Sequence, residues 1–214
     1  IKSFTNELKN LYSSFGYNNV KINLSSEITN QNFATVFIDI IENKITKIKS
    51  IKFRGNSIIS SSDLSETIKS KVKKLTNVFA NNNFKPPQVE TDKQRLKVFY
   101  KEKGYADVEI DYEIEFFENN YVVIYFNIKE GDYYEIENVN FSNNTNNESI
   151  ENLLNDYFVF NNYKKNKYNS SIAEKIEEEI SNLIKSTGIR FFEINNLVKL
   201  KDGKADLLFE VISF

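Results

Sequence analysis

The sequence predicts an α+β fold built from small β-α-α-β-β modules in tandem. Three observations carry that reading. An internal repeat pairs Gly16 with Gly104 and Tyr17 with Tyr105 at a constant offset of 88 residues. Residues 107–116 and 121–128 alternate apolar and polar side chains, the period of a half-buried strand. Ahead of them lie two stretches with helical spacing, the second closed by a glycine. A period this long describes an array of domains and not a solenoid of short repeats.

The same offset pairs Leu8 with Leu96, Tyr12 with Tyr100, Val20 with Val108 and Ile22 with Ile110. It continues through Glu42 and Glu130, Ile48 and Ile136, and Phe53 and Phe141. A weaker third copy sets Gly188 against Gly104, and residues 205–214 take the place of 122–131. The expected organisation is a partial module at 1–43 (a helix and the last two strands), a complete one at 44–131 and another at 132–214.

Within 44–131, residues 45–56 read as a strand. Ile45, Ile48, Ile51 and Phe53 are apolar with one slip of register, and Gly55-Asn56 marks a turn. Residues 60–72 read as a helix, with Ser62 or Asp63 as N-cap and Leu64, Ile68 and Val72 on one face. A polar loop at 77–90 holds Pro86-Pro87, the only prolines. A second helix at 90–105 starts from Thr91 and stops at Gly104, which supplies a left-handed C′ residue; Gly16 and Gly188 are read as the same cap.

The next strand separates two faces. Val108, Ile110, Tyr112, Ile114 and Phe116 share one, and Asp107, Glu109, Asp111, Glu113 and Glu115 the other. Asn119-Asn120 turns the chain into a last strand with Val122, Ile124, Phe126 and Ile128 inward. Three one-sided strands need two helices over their apolar face. The first strand must then lie beside the third or the second, and the small sheet keeps two unsatisfied edges.

Composition removes several function classes. Cysteine and histidine are both absent, so thiolate chemistry, Cys/His zinc sites and histidine general bases are excluded. The net charge of −2 leaves no electrostatic footprint for nucleic acid. No run approaches the length of a membrane-spanning helix. The chain opens on Ile1 inside helical periodicity and contains no Met, which reads as an excised piece of a longer protein.

The pattern "IxFxGN" at 51–56, the helix end "FYKEKGYAD" at 99–107 and "FNIKEGDYYEIENVNFSNN" at 126–144 resemble the POTRA (polypeptide-transport-associated) family. The resemblance is strong over 44–131, fair over 1–43 and weaker over 132–214, where Ile189 follows Gly188 in place of an aromatic residue. It implies a three-stranded mixed sheet with the third strand central and two helices on one face. It further implies the periplasmic region of a bacterial outer membrane protein assembly factor, with a membrane β-barrel C-terminal to it. By resemblance, such arrays bind nascent outer membrane proteins by β-augmentation along the second strand and dock accessory lipoproteins. No cofactor, metal or catalytic residue is implied. Carried onto this sequence, the binding strand is 107–115, that is Asp107, Val108, Glu109, Ile110, Asp111, Tyr112, Glu113, Ile114 and Glu115. Its counterpart is 19–27.

Each prominent feature also has a plainer reading. Carboxylates at i and i+2 of a strand lie roughly 7 Å apart, within glycosidase range, yet no partner acid, base or aromatic platform accompanies them. No loop pattern of a cation site accompanies them either. A solvated acidic face that blocks unwanted edge pairing is the bland alternative, compatible with backbone-mediated binding. Lys69, Lys71, Lys73 and Lys74 suit a helix C-terminus. Glu174, Glu177, Glu178 and Glu179 with Lys175 suit a solvated helical face. The aromatic stretch 157–168 reads as loop and core packing, against a peptide platform. Two rival functions stand beside the binding module: a structural spacer, and the POTRA region of a secretion or import pore.

Overall fold

The computed structural model describes residues 2–28, 33–73, 81–145 and 147–213. The chain falls into two compact units, Ile1–Leu96 with Ile110–Lys129, and Lys97–Glu109 with Glu130–Phe214.

The first unit opens with helix α1 (Lys2–Ser14), then strands β1 (Lys21–Ile28) and β2 (Ala34–Ile41), which pair antiparallel. The helix stops because Gly16 takes φ +101°, which lets the Tyr17 amide donate back to the Tyr12 carbonyl at 3.0 Å. Val36, Phe37, Ile38, Ile40 and Ile41 of β2 are all exposed. Phe4, Leu24, Val36 and Ile38 line an apolar groove of about 400 Å³.

Next come β3 (Lys47–Arg54), α2 (Ser61–Thr67), α3 (Pro86–Glu102), β4 (Glu109–Phe117) and β5 (Tyr121–Lys129). The sheet order is β3-β5-β4, with β3 parallel to β5, so the first strand chose the third as neighbour. A register shift between Ile48 and Ser50 is the slip visible in the sequence. Asn119 and Asn120 both take φ +63° in the turn between β4 and β5, a conformation asparagine tolerates better than most residues. Leu64, Val89, Leu96, Ile124 and Phe126 are fully buried, each worth about 1.5–3 kcal/mol of transfer from water.

Both of these helices have boundaries that differ from those expected. The first helix is shorter and starts earlier: Ser60 is its N-cap, accepting from the Asp63 amide, and Ile68 is already extended. The Asp92 carboxylate explains the early end. It accepts from the backbone amides of Lys69 and Ser70, both at 2.8 Å, and so draws the chain out of the helix. Lys71 Nζ donates to the carbonyls of Ser65 and Ile68, which fits the helix-end reading of the basic patch; Lys74 lies outside the described residues. The second helix starts earlier as well. Pro86 and Pro87 form its first turn, where a missing N–H costs nothing, and Thr91 is an interior residue whose hydroxyl donates to the Pro87 carbonyl. Part of the expected loop, 77–80, lies outside the described residues.

The second unit contains β6 (Glu135–Asn143), α4 (Glu148–Phe160), α5 (Ser170–Ser186), β7 (Phe192–Lys201) and β8 (Lys204–Ser213). Its sheet order is β6-β8-β7, with β6 parallel and β7 antiparallel to β8. Ile150 and Leu154 of α4 and Ile176 and Ile180 of α5 close over Leu207 and Phe209. The aromatic stretch 157–168 belongs largely to this core: Phe158 stacks on Phe141, and the Tyr157 and Tyr163 hydroxyls lie 2.7 Å apart. Tyr157 and Tyr163 also donate to Glu179, so Glu179 is not simply solvated. Burial and this carboxylate raise the pKa of the Tyr157 hydroxyl far above the ordinary range.

The repeat reappears in backbone hydrogen bonds. In the first unit the Gly16 carbonyl accepts from Thr46 N, the Thr46 carbonyl from Phe84 N, and the Asn82 carbonyl from Ile48 N. In the second the Gly104 carbonyl accepts from Tyr134 N, the Tyr134 carbonyl from Tyr168 N, and the Asn166 carbonyl from Ile136 N. Each clasp ties a helix-ending glycine to the start of the third strand after it, β3 or β6, and that strand to the segment before the next long helix.

Candidate functional site

The segment 107–115 resolves into two parts. Asp107 and Val108 precede β4, and residues 109–115 lie within it, at the edge of the β3-β5-β4 sheet. Val108 and Ile110 are buried, Tyr112 and Ile114 half-buried, and Phe116 exposed, so the inward face opens toward the turn. Asp107, Glu109, Asp111, Glu113 and Glu115 are all exposed, as the alternation predicts.

The acidic face is partly engaged. Across the sheet, Arg54 lies 3.8 Å from the Tyr125 ring and 3.5 Å from Glu113. The Tyr125 hydroxyl donates to Glu115 at 2.8 Å. Tyr134 donates its hydroxyl to Asp107, and that bond pushes the tyrosine's pKa up to about 12. Asp107 therefore belongs to the turn around Gly131 more than to a free edge.

Beside the edge, α3 places Lys93 across the inward rim of β4. Its Nζ lies 3.0 Å from Glu90, 3.9 Å from Asp111 and 5.4 Å from the centre of the Tyr112 ring. The hydrogen bond to Glu90 raises the Lys93 pKa and lowers that of Glu90, while burial raises that of Tyr112. The cation thus stays charged beside the inward rim of β4. Nothing in the strand's own alternation announces this fence, because Lys93 sits on another element.

The equivalent edge of the second unit is β7. Glu174, Glu177, Glu178, Ser181, Asn182 and Lys185 of α5 face Arg190, Phe192 and Ile194 across a groove of about 470 Å³. The sequence reading took these glutamates for a solvated face; the groove beside them was invisible without the fold. In the first unit, β1 has β2 as its one strand partner among the described residues.

The three glycines hold the helix-end conformation, with φ of +101° at Gly16 and Gly104 and +89° at Gly188. Their surroundings differ. A Cβ at Gly104 would meet the Tyr133 ring at 2.6 Å, and one at Gly16 would meet Ile45 at 3.0 Å. At Gly188 it would meet nothing within 4 Å. Among the described residues no group of three or more His, Cys, Asp or Glu side chains is placed to hold a metal ion. No helix among them is long and apolar enough to cross a membrane.

A POTRA family model, described as a surface antigen variable number repeat, matches residues 46–131. That segment is a POTRA domain. The outer membrane protein assembly factor BamA of Neorickettsia risticii (strain Illinois) is 28% identical over 179 residues, 83% of this chain. The chain spans only 20% of that relative's length. The crystal structure of POTRA3–5 of Haemophilus influenzae BamA superposes with a TM-score of 0.52 at 17% identity, over 99% of this chain and 80% of that one. The fold is that of tandem POTRA modules, with mixed three-stranded sheets in which the last strand is central.

Proposed function

We propose that this chain is a non-catalytic, periplasmic polypeptide-binding scaffold of an outer membrane protein assembly factor. Residues 1–43, 44–131 and 132–214 act as its three modules, the first of them partial. Its clients are nascent outer membrane proteins, held by β-augmentation along second-strand edges, and accessory lipoproteins dock on its modules. In the longer protein a membrane β-barrel follows. Likeness to BamA over most of the chain supports the assignment of process and compartment.

The observation that carries the mechanism is topological. In both complete sheets the second strand, β4 or β7, stands at the edge, with a strand partner on one side only among the described residues. A strand added there gains main-chain hydrogen bonds that do not depend on client sequence, which suits a device with many clients. Short edges keep each encounter weak, which favours release.

The test is an amide-resolved NMR titration of the labelled chain with strand-forming client peptides. Shifts confined to an edge strand and its central neighbour are expected. Unchanged amides across 107–115 and 192–201 alike would sink the edge mechanism. The spacer reading would then gain, and crosslinks to lipoprotein partners but never to clients would establish it.

A further inference from the structure

We propose that the groove between α5 and β7 is a charge-selective polypeptide site, which takes an extended segment carrying Lys or Arg close to an apolar residue. The proposal rests on the edge-pairing reading and adds to it a location and a sequence preference.

The groove is an edge site by construction, because β7 ends its sheet and α5 forms the opposite wall. Phe192 and Ile194 offer an apolar floor on alternate residues of β7. Asn196 continues the same face, and its side-chain oxygen is buried without a hydrogen-bond partner among the described residues. Asn196 does not line the groove, so the floor open to an arriving segment is Phe192 and Ile194.

Charge selects the occupant. Glu174, Glu177 and Glu178 line one stretch of α5, and Lys185 with Arg190 close the other end. Eleven helical residues separate Glu174 from Lys185, about 16 Å along the axis. An added strand points every second side chain into this groove, spaced about 7 Å apart. A cation and an apolar side chain at neighbouring inward positions would reach the glutamates and the Phe192–Ile194 floor together. The opposite charge order would set acids against acids. Backbone pairing alone cannot discriminate in this way, whereas complementary charge can. The β4 edge carries its own exposed carboxylates, so what sets it apart from β7 is the Lys93 amine beside the Tyr112 ring and not its net charge.

The experiment uses the full 214-residue chain, isotope-labelled, and two capped probes of about eight residues, the length of one edge strand. Both alternate Thr with inward side chains, two Lys then Val and Phe in one, two Glu then Val and Phe in the other. The Lys probe is expected to shift amides of β7 and bind about tenfold tighter than the Glu probe, the effect of two partly exposed ion pairs. The double variant Glu177→Lys/Glu178→Lys, with its fold checked by circular dichroism, is expected to reverse that order. Equal affinities at β7, or an order unchanged in the variant, would overturn the charge selection. Shifts at β4 alone would overturn the location and leave edge pairing standing. Silence of both strands toward both probes would remove edge pairing itself.

Discussion

The strands β4 and β7 hold the same place in two sheets, yet the helices beside them differ: α3 lays Lys93 over the rim of β4, whereas α5 stands back from β7 behind three glutamates. Topology makes both strands edges. The side chains of the neighbouring helix decide whether an edge is open. The units diverge in a second device as well. In the first, Asp92 of α3 is fully buried; it holds the exit of α2 by accepting from the backbone amides of Lys69 and Ser70, and it accepts from the side chains of Gln88 and Arg95 on its own helix. In the second, Glu179 of α5 does a related task through the hydroxyls of Tyr157 and Tyr163. A carboxylate from the later helix secures the earlier one in both, but from different positions and to different partners.

Removing the two carboxylates should separate the units most. Asp92→Ala strands the buried Ser70 amide, the part-buried Lys69 amide and the Arg95 cation, and is expected to cost about 4 kcal/mol. Glu179→Gln keeps an acceptor for the tyrosines and should cost about 1 kcal/mol. Urea titration followed by amide signals of each unit measures both; equal costs would erase the contrast.

The glycines come next. Gly104→Ala adds backbone strain and a collision with the Tyr133 ring, together about 3 kcal/mol. Gly188→Ala carries only the strain, about 1 kcal/mol. The same titrations report the difference.

An alkaline titration probes the clasp of the second unit. The folded Tyr134 hydroxyl is pushed up to about 12 from a reference of 10.0, mainly by its hydrogen bond to Asp107. A raised pKa means the contribution is complete below pH 10 and is lost as pH rises toward 12. Thr46 stands at the corresponding place of the first unit and cannot titrate there. Tyr134→Phe should therefore flatten the decline of second-unit amides between pH 10 and 12, and an unaltered slope would contradict the assignment.

The smallest effect on stability is expected from Lys93→Ala, within about 0.5 kcal/mol because its ion pairs involve exposed carboxylates. Its informative readout is binding. Without the fence, β4 should respond to strand-forming peptides as β7 does, and a β4 that stays silent would show that Lys93 is not the barrier.

Much of the fold was legible because alternation and helical spacing are local. Val108 and Ile110, Val122 to Ile128, and the glycine stops follow from patterns a few residues long. The misread boundaries involve information from elsewhere. Val72 continues the helical spacing of Leu64 and Ile68, but Asp92, more than twenty residues away, captures the backbone first. Pro86-Pro87 resembles a loop until the first turn of a helix is recognised as the place where proline fits. Of the candidate site, the acidic stripe and its exposure were readable in 107–115. The fence across β4 and the groove beside β7 were not, because each is formed by a helix and a strand whose separation in space no pattern within either one encodes.

The register shift at Lys49 has a counterpart between Ile136 and Asn138, one repeat later. Each extra residue works as a phase corrector. Upstream of it the core-facing residue is Ile48 or Ile136; downstream it is Ile51 or Val139, three positions on instead of an even number. A deletion of Lys49 or Glu137 would leave a strand of nearly the same length and composition. It would set Ile48 two positions from Ile51, or Ile136 two from Val139, so both halves would keep their apolar side chains on the core face and only the kink would be lost. The same deletion at a paired residue, such as Lys52 or Asn140, would instead turn one half of the strand inside out, so each of these strands has one position where its length can change without a change of face.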